Sequence, residues 1–442
     1  MRHRVGASGA ASFWAVAALV ASGLILAAGA SPAFAYSGSQ AEAQSDPVAD
    51  PYGFPNIKLC CEHKKKKYRK RRPRDDYDYP DADPDSDYDG DRRTVRVSCG
   101  EPRRHSFSSI EEALEKLGEG GRIRIWPGAA CDISGLSIDQ AVTIESEDYS
   151  YGGRATLRSD ACATIAPGYG SSVVAMRGID IDGCLVVERG RLDFNEVNLA
   201  SRSSGDAVRL NGGSFSATDS TIRARGTAIN ALRGVMVSLS GGGFASGAKA
   251  EHVVRLDVDG FNLQNTLIKG GITGVRVGGL GRYPMVMNRV QVMRADQGEI
   301  YQIGPGRQGV VVGGGTPGDD LPSLPSMPNA SFTIEGGVIA GYADALTFAP
   351  GTRAAAKGVN IIHPGRGIVV GAGAAVDLRD NKITRSQGTG IELAAGAVGS
   401  ASFNDIQCDH GSCVCYGGEC TSRSDRDFGR GAFRMSGTRC DD

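Results

Sequence analysis

A short strand-like segment that returns at near-regular intervals constrains this chain more than any other feature. It occurs as Ala207-Val208-Arg209-Leu210, Ala228-Ile229-Asn230-Ala231, Val253-Val254-Arg255-Leu256 and Gly274-Val275-Arg276-Val277. Later copies are Gly309-Val310-Val311-Val312, Ala345-Leu346-Thr347-Phe348, Gly367-Ile368-Val369-Val370 and Gly390-Ile391-Glu392-Leu393. Their offsets are 21, 25, 21, 35, 36, 22 and 23 residues, and a period of about 20 to 25 with occasional long members marks a solenoid whose extra residues loop outward. Strand alternation puts Val208 and Leu210 on one side and Arg209 on the other, so an aliphatic set faces a core and a polar set faces water. Roughly eleven or twelve stacked coils, about 4.8 Å apart, make a rod about 55 Å long in which no coil is stable alone. The composition agrees: 63 glycines against two tryptophans in 442 residues suits many tight turns and few bulky fillers.

The first 35 residues have the form of a secretory signal. Arg2 and Arg4 supply the positive end, residues 13–30 are apolar, and Ala33-Phe34-Ala35 gives a small-x-small cleavage pattern before Tyr36. An uncleaved anchor is the alternative, because the apolar stretch is nearly long enough to span a bilayer. Cleavage leaves no integral membrane segment and sends the chain to an oxidising compartment, secreted, periplasmic or at the cell surface. All eleven cysteines follow residue 35, and in that setting they are expected to form disulfides. An odd number leaves at least one unpaired or bonded to another chain. The spacings of Cys408, Cys413, Cys415 and Cys420 do not follow the paired form of a zinc site.

Residues 36–92 are expected to be a disordered charged linker, polar and proline-rich without an apolar period. Nine basic residues fall between Lys64 and Arg74 and nine aspartates between Asp75 and Asp91. The basic block suits an anionic surface as well as it suits a solvated tether. Asp85, Asp87 and Asp89, followed by Gly90, have the alternating carboxylates of a calcium loop, although Arg96 stands where the last bidentate ligand belongs. Calcium is the single cofactor the sequence brings forward. The balance of 49 basic and 50 acidic residues gives no global pull toward nucleic acid.

Ordered structure is expected from residue 93 to 406, with a Cys-rich cap over 407–442. Ile110, Ala113, Leu114 and Leu117 have the spacing of one helical face, with Ser108 or Ser109 as N-cap. The segments Ser-Ile-Glu-Glu-Ala-Leu (109–114), Gly-Arg-Ile-Arg-Ile-Trp-Pro-Gly (121–128) and Gln-Ala-Val-Thr-Ile (140–144) resemble the N-terminal cap and first coils of the pectate-lyase-like superfamily. The resemblance implies an all-β, right-handed parallel β-helix closed by a short amphipathic helix. It says little about activity, because that superfamily includes lyases, hydrolases, esterases, epimerases, adhesins and inert scaffolds. The sequence lacks the Gln-Asp and Gly-Arg-Pro of pectin methylesterases, the Asn-Thr-Asp and Gly-His-Gly of polygalacturonases, the Arg-x-Pro-x-x-Arg of classical pectate lyases and the Asp-Pro-His of alginate epimerases.

Two sets of outward residues carry candidate chemistry. Aligning the repeats puts Arg209, Asn230, Arg255 and Arg276 in one column on an exposed sheet, which suits a polyanion such as a uronate polysaccharide; solubility of the stack is the competing reason for arginines there. Asp180 with Asp182, and Asp257 with Asp259, are period-two pairs suited to calcium or to acid and base work. The repeated Asn198, Asp219, Asn265, Asn288, Asn360, Asn381 and Asn404 are expected to form a turn column with hydrogen bonds between coils. The reading is an exported bacterial β-helix that binds an acidic envelope or extracellular polysaccharide. The alternative is a divergent uronate lyase or epimerase, with Arg255 as base and calcium on Asp257 and Asp259. Oligomeric state, choice of glycan and disulfide pairing stay open.

Overall fold

The computed structural model describes residues 94–441 except 101–104, 118–119, 148–152, 169–171, 233, 279–281, 295–306, 314–330, 410–411, 422–424 and 429–431. The expected signal and linker, and with them Asp85, Asp87 and Asp89, lie outside the described residues.

Each coil contributes one short strand to each of three sheets, here called A, B and C, which hold 15, 13 and 13 strands among the described residues. One turn runs Arg191–Asn195 (sheet A), Asn198–Ser201 (sheet B) and Val208–Leu210 (sheet C), and the chain then returns to sheet A at Ser214–Thr218 beside its starting strand. Pairing between coils is parallel throughout, and the chain is a right-handed parallel β-helix. The repeats read from the sequence stack in register in sheet C: Val208, Ile229, Val254, Val275, Val310, Leu346, Ile368 and Ile391 pair in succession.

Alternation drives the burial. In Arg122–Ile125 the isoleucines are buried and the arginines are not, and Val142–Ser146 repeats the pattern over five residues. Aromatic residues fill the wide parts of the core, where Phe194 and Phe215 meet edge to face at 5.2 Å. Tyr342 is also fully enclosed and bonds the carbonyls of Gly270 and Met293, each at 3.2 Å. A β-carbon at Gly274 would run into Val292 and the Gly309 carbonyl, and one at Gly309 into the Ala345 carbonyl and Ile339, with Tyr342 next in each case, which explains glycine at two copies of the sheet C repeat. The helix Ile110–Leu117 buries its four apolar residues over the first coil. Ser109 Oγ accepts from the Glu112 amide at 3.1 Å, and the Glu112 carboxylate returns to the Ser108 amide at 3.1 Å, a variant of the capping box.

The single turn column expected from Asn and Asp divides into distinct positions. Asp219 and Asn265 occupy the left-handed corner residue between sheets A and B (φ 47° and 50°). Asn198 and Asn360 begin sheet B strands, and Asn288 ends a sheet A strand. Asn381 and Asn404 alone of the set stack in the buried ladder, where Asn404 Oδ1 accepts from both the amide and the Nδ2 of Asn381 at 3.0 Å. A spacing of 22 or 23 residues tolerates shifts of one or two places in such a reading, and the φ angle and burial separate them.

Cys162 and Cys184 form a disulfide between neighbouring coils, Cys99 pairs with Cys131, and Cys415 pairs with Cys420. The expected end of the β-helix at 406 needs correction. Val414–Tyr416, Phe433–Ser436 and Arg439–Asp441 continue sheets C, A and B in parallel with the coil before them. The tail is therefore a further coil of the same solenoid, with the antiparallel strands Glu419–Thr421 and Arg426–Phe428 closing sheets C and A. Its glycines, cysteines and interrupted alternation hide that coil from a periodicity reading.

Candidate functional site

The outward column of sheet C runs Val186, Arg209, Asn230, Arg255, Arg276, Val311, Thr347, Val369 and Glu392 by direct pairing. The four residues singled out in the sequence thus stand on four consecutive rungs, about 4.8 Å apart. Their environments differ. Arg209 is exposed and its Nε donates to Asn211 Oδ1 at 3.0 Å, while Asn211 Nδ2 donates to Glu188 Oε1 at 2.8 Å. Asn230 is half-buried and donates to Asp206 Oδ2 at 2.8 Å. Arg255 Nε donates to Asp257 Oδ2 at 2.8 Å, with 18% of its side chain exposed.

Arg276 departs from the expected exposed position: it is only 8% exposed. The outward side of this strand is covered, since Thr273 is buried with it. Repeat spacing reports which side of a strand a residue takes, and it carries no information on what lies over that side. Both long members of the period leave the ends of one sheet C strand, Gln308–Val312, joining it to Gln291–Met293 before and Ser331–Glu335 after.

The structure adds a residue to the group. His252 begins the strand carrying Arg255 and Asp257, and its side chain is 5% exposed. Neither ring nitrogen makes a hydrogen bond, although Nε2 lies 3.3 Å from Glu251 Oε1. Burial holds the imidazole below its ordinary pKa, the Glu251 carboxylate opposes this, Arg276 and Arg255 add to it, and Asp257 opposes it. Strict alternation in the sequence puts His252 on the side opposite Arg255 and Asp257, so nothing there groups the three.

The paired aspartates are engaged by arginines. Asp180 meets Arg154 at 3.3 Å and accepts from Asn198 Nδ2 at 2.9 Å, and Asp182 meets Arg202 at 3.3 Å. Asp259 lies 3.7 Å from Arg282. Among the described residues no three His, Cys, Asp or Glu side chains converge in a way that could hold a metal ion. Asp257 is held by Arg255 through Oδ2. Farther along the face Arg366 grips Asp344 through two bonds of 2.7 and 3.0 Å and Glu392 at 2.9 Å; these bonds push its pKa further up. That end of sheet C is closed by its own ion pairs.

No protein-family model matches this sequence, and no curated protein sequence does either. Among solved structures, the A-module of the mannuronan C-5 epimerase AlgE4 of Azotobacter vinelandii is similar, at 12% identity and a TM-score of 0.40, over 75% of this chain and 91% of that one. At that identity and score the likeness adds nothing to what the strand pairing shows. No helix among the described residues is long and apolar enough to cross a membrane. The chain is a disulfide-bonded parallel β-helix with a polar, partly enclosed face on sheet C.

Proposed function

We propose that this chain is an exported β-helix protein that binds an acidic envelope or extracellular polysaccharide lengthwise along sheet C, in a structural or surface role. The observation that carries this reading is the placement of Arg209, Asn230 and Arg255 on consecutive rungs, with the largely buried Arg276 on the rung after them. A rung spacing of about 4.8 Å is the scale of one sugar unit. Arginines oriented by Asn211 and Asp257 lose less freedom on meeting a carboxylate than mobile ones do. The shortage of outward aromatic residues makes recognition electrostatic, and so sensitive to salt. Export rests on the N-terminal signal pattern, and three disulfides support an oxidising compartment.

The test is retention of the mature protein on polygalacturonate, alginate and a neutral glucan at low and high salt. Retention on an acidic polymer that falls with salt is expected, and Arg209→Ala or Arg255→Ala should each weaken it by about fivefold, roughly 1 kcal/mol. Equal retention on the neutral glucan, or none at all, overturns the reading. The second reading, a divergent lyase or epimerase, is followed in the same incubation with and without calcium. Unsaturated or epimerised products lost in Arg255→Ala would establish it.

A further inference from the structure

Docking along sheet C gives His252 no task, although its surroundings are unusual. Its imidazole is enclosed and makes no hydrogen bond, and Asn230 Oδ1 on the preceding rung is likewise enclosed and unbonded. More than nine in ten buried polar groups find a partner. Two that do not, on adjacent rungs of one face, mark a place where a ligand atom completes the bonding.

The charged groups acting on His252 are Glu251, Arg255 and Asp257 along its own segment and Arg276 on the next rung. They are two cations and two anions. Asp257 is already committed to Arg255 at 2.8 Å, and Glu251 is 68% exposed in its side chain, where water weakens its pull. The imidazole is therefore held neutral chiefly by enclosure, with two guanidiniums nearby. An added negative charge at Arg255 tips that balance.

Building on the docking reading, we infer that Asn230, His252 and Arg255 form a proton-linked uronate subsite, in which a sugar carboxylate seated at Arg255 draws one proton from solvent onto His252. Solvent supplies the proton, a ring nitrogen receives it, and no covalent bond of the sugar changes. The imidazolium then gains an anionic partner, and Asn230 Oδ1 accepts from a sugar hydroxyl. Lowering the pH from about 7 to 5.5 strengthens binding severalfold, because linkage ties affinity to the proton taken up. Sugar carboxylates, ionising near the ordinary α-carboxyl value of about 3.5, stay charged over that range.

The experiment is calorimetric titration of the mature protein with oligogalacturonate and, separately, oligomannuronate, at one pH in two buffers of different ionisation heat. A binding heat that depends on the buffer, with net proton uptake, is expected. Methyl-esterified oligogalacturonate should bind weakly and take up no proton. His252→Gln should abolish uptake and flatten the pH dependence, whereas Arg209→Ala should lower affinity and leave uptake intact. Binding without buffer dependence, or uptake that persists in His252→Gln, overturns the subsite and leaves the docking reading standing. Absence of binding by either acidic oligomer overturns both. The wild-type buffer comparison stands even if the variant fails to fold.

Discussion

Asn404 and Asn360 carry the same side chain at related points of the repeat, yet they hold the molecule together very differently. Asn404 is 1% exposed; its Oδ1 serves the backbone and side chain of Asn381, and its Nδ2 donates to the Leu378 carbonyl at 3.0 Å. Removing it leaves several buried partners unsatisfied, at about 1 to 3 kcal/mol each. Asn404→Ala should therefore destabilise its coil by about 3 kcal/mol, seen as roughly a hundredfold loss of hydrogen-exchange protection at the Asn381 amide. Asn360 begins a sheet B strand and its Oδ1 has no hydrogen-bond partner, so Asn360→Ala should change protection by less than about 1 kcal/mol. Equal effects at the two sites would contradict the ladder assignment.

The two-residue corner between sheets A and B brings the backbones of neighbouring coils into close contact. Gly242 lies in it with φ 73°, and a β-carbon there would run into the Ser220 carbonyl of the coil below. Gly373, at φ 68°, has nothing within 4 Å of the same atom. Gly373→Ala should cost about 1 kcal/mol, the strain of a left-handed alanine, whereas Gly242→Ala must also push two coils apart and should cost about 3 kcal/mol or more. Thermal unfolding of the two variants side by side checks this. If Gly242→Ala is as mild as Gly373→Ala, coil spacing is more compliant than the stacked backbone contacts indicate. The same corner explains why the Asn and Asp signal was legible only as a period: Asn, Asp and Gly all suit left-handed geometry, but Glu196, Arg289 and Phe403 also adopt it here, at φ 54°, 52° and 55°.

Across the whole molecule, stability passes from coil to coil, and the ends matter most. The helix Ile110–Leu117 covers the first coil and the tail supplies the last, with Phe433 and Met435 in the core. Truncation after residue 408 should uncover three parallel strand edges at once, Ile391–Leu393, Val398–Ser402 and Asp405–Cys408. Open edges recruit other chains, so the truncated protein is expected to aggregate on concentration, as light scattering would record. A truncated chain that stays monomeric would make the tail dispensable.

The sequence by itself determined the architecture. The period and alternation of Val208, Ile229, Val254 and Val275 fixed which strands stack, and in that register Arg209, Asn230, Arg255 and Arg276 fall in one column. Periodicity suffices there because each strand pairs with its own copy and burial has a period of two. Only the tertiary structure decided which members of the column meet solvent, that Asp257 is held by Arg255, and that His252 is enclosed beside them. Those facts depend on what covers a face and on bonds between side chains, and neither leaves a period in the sequence.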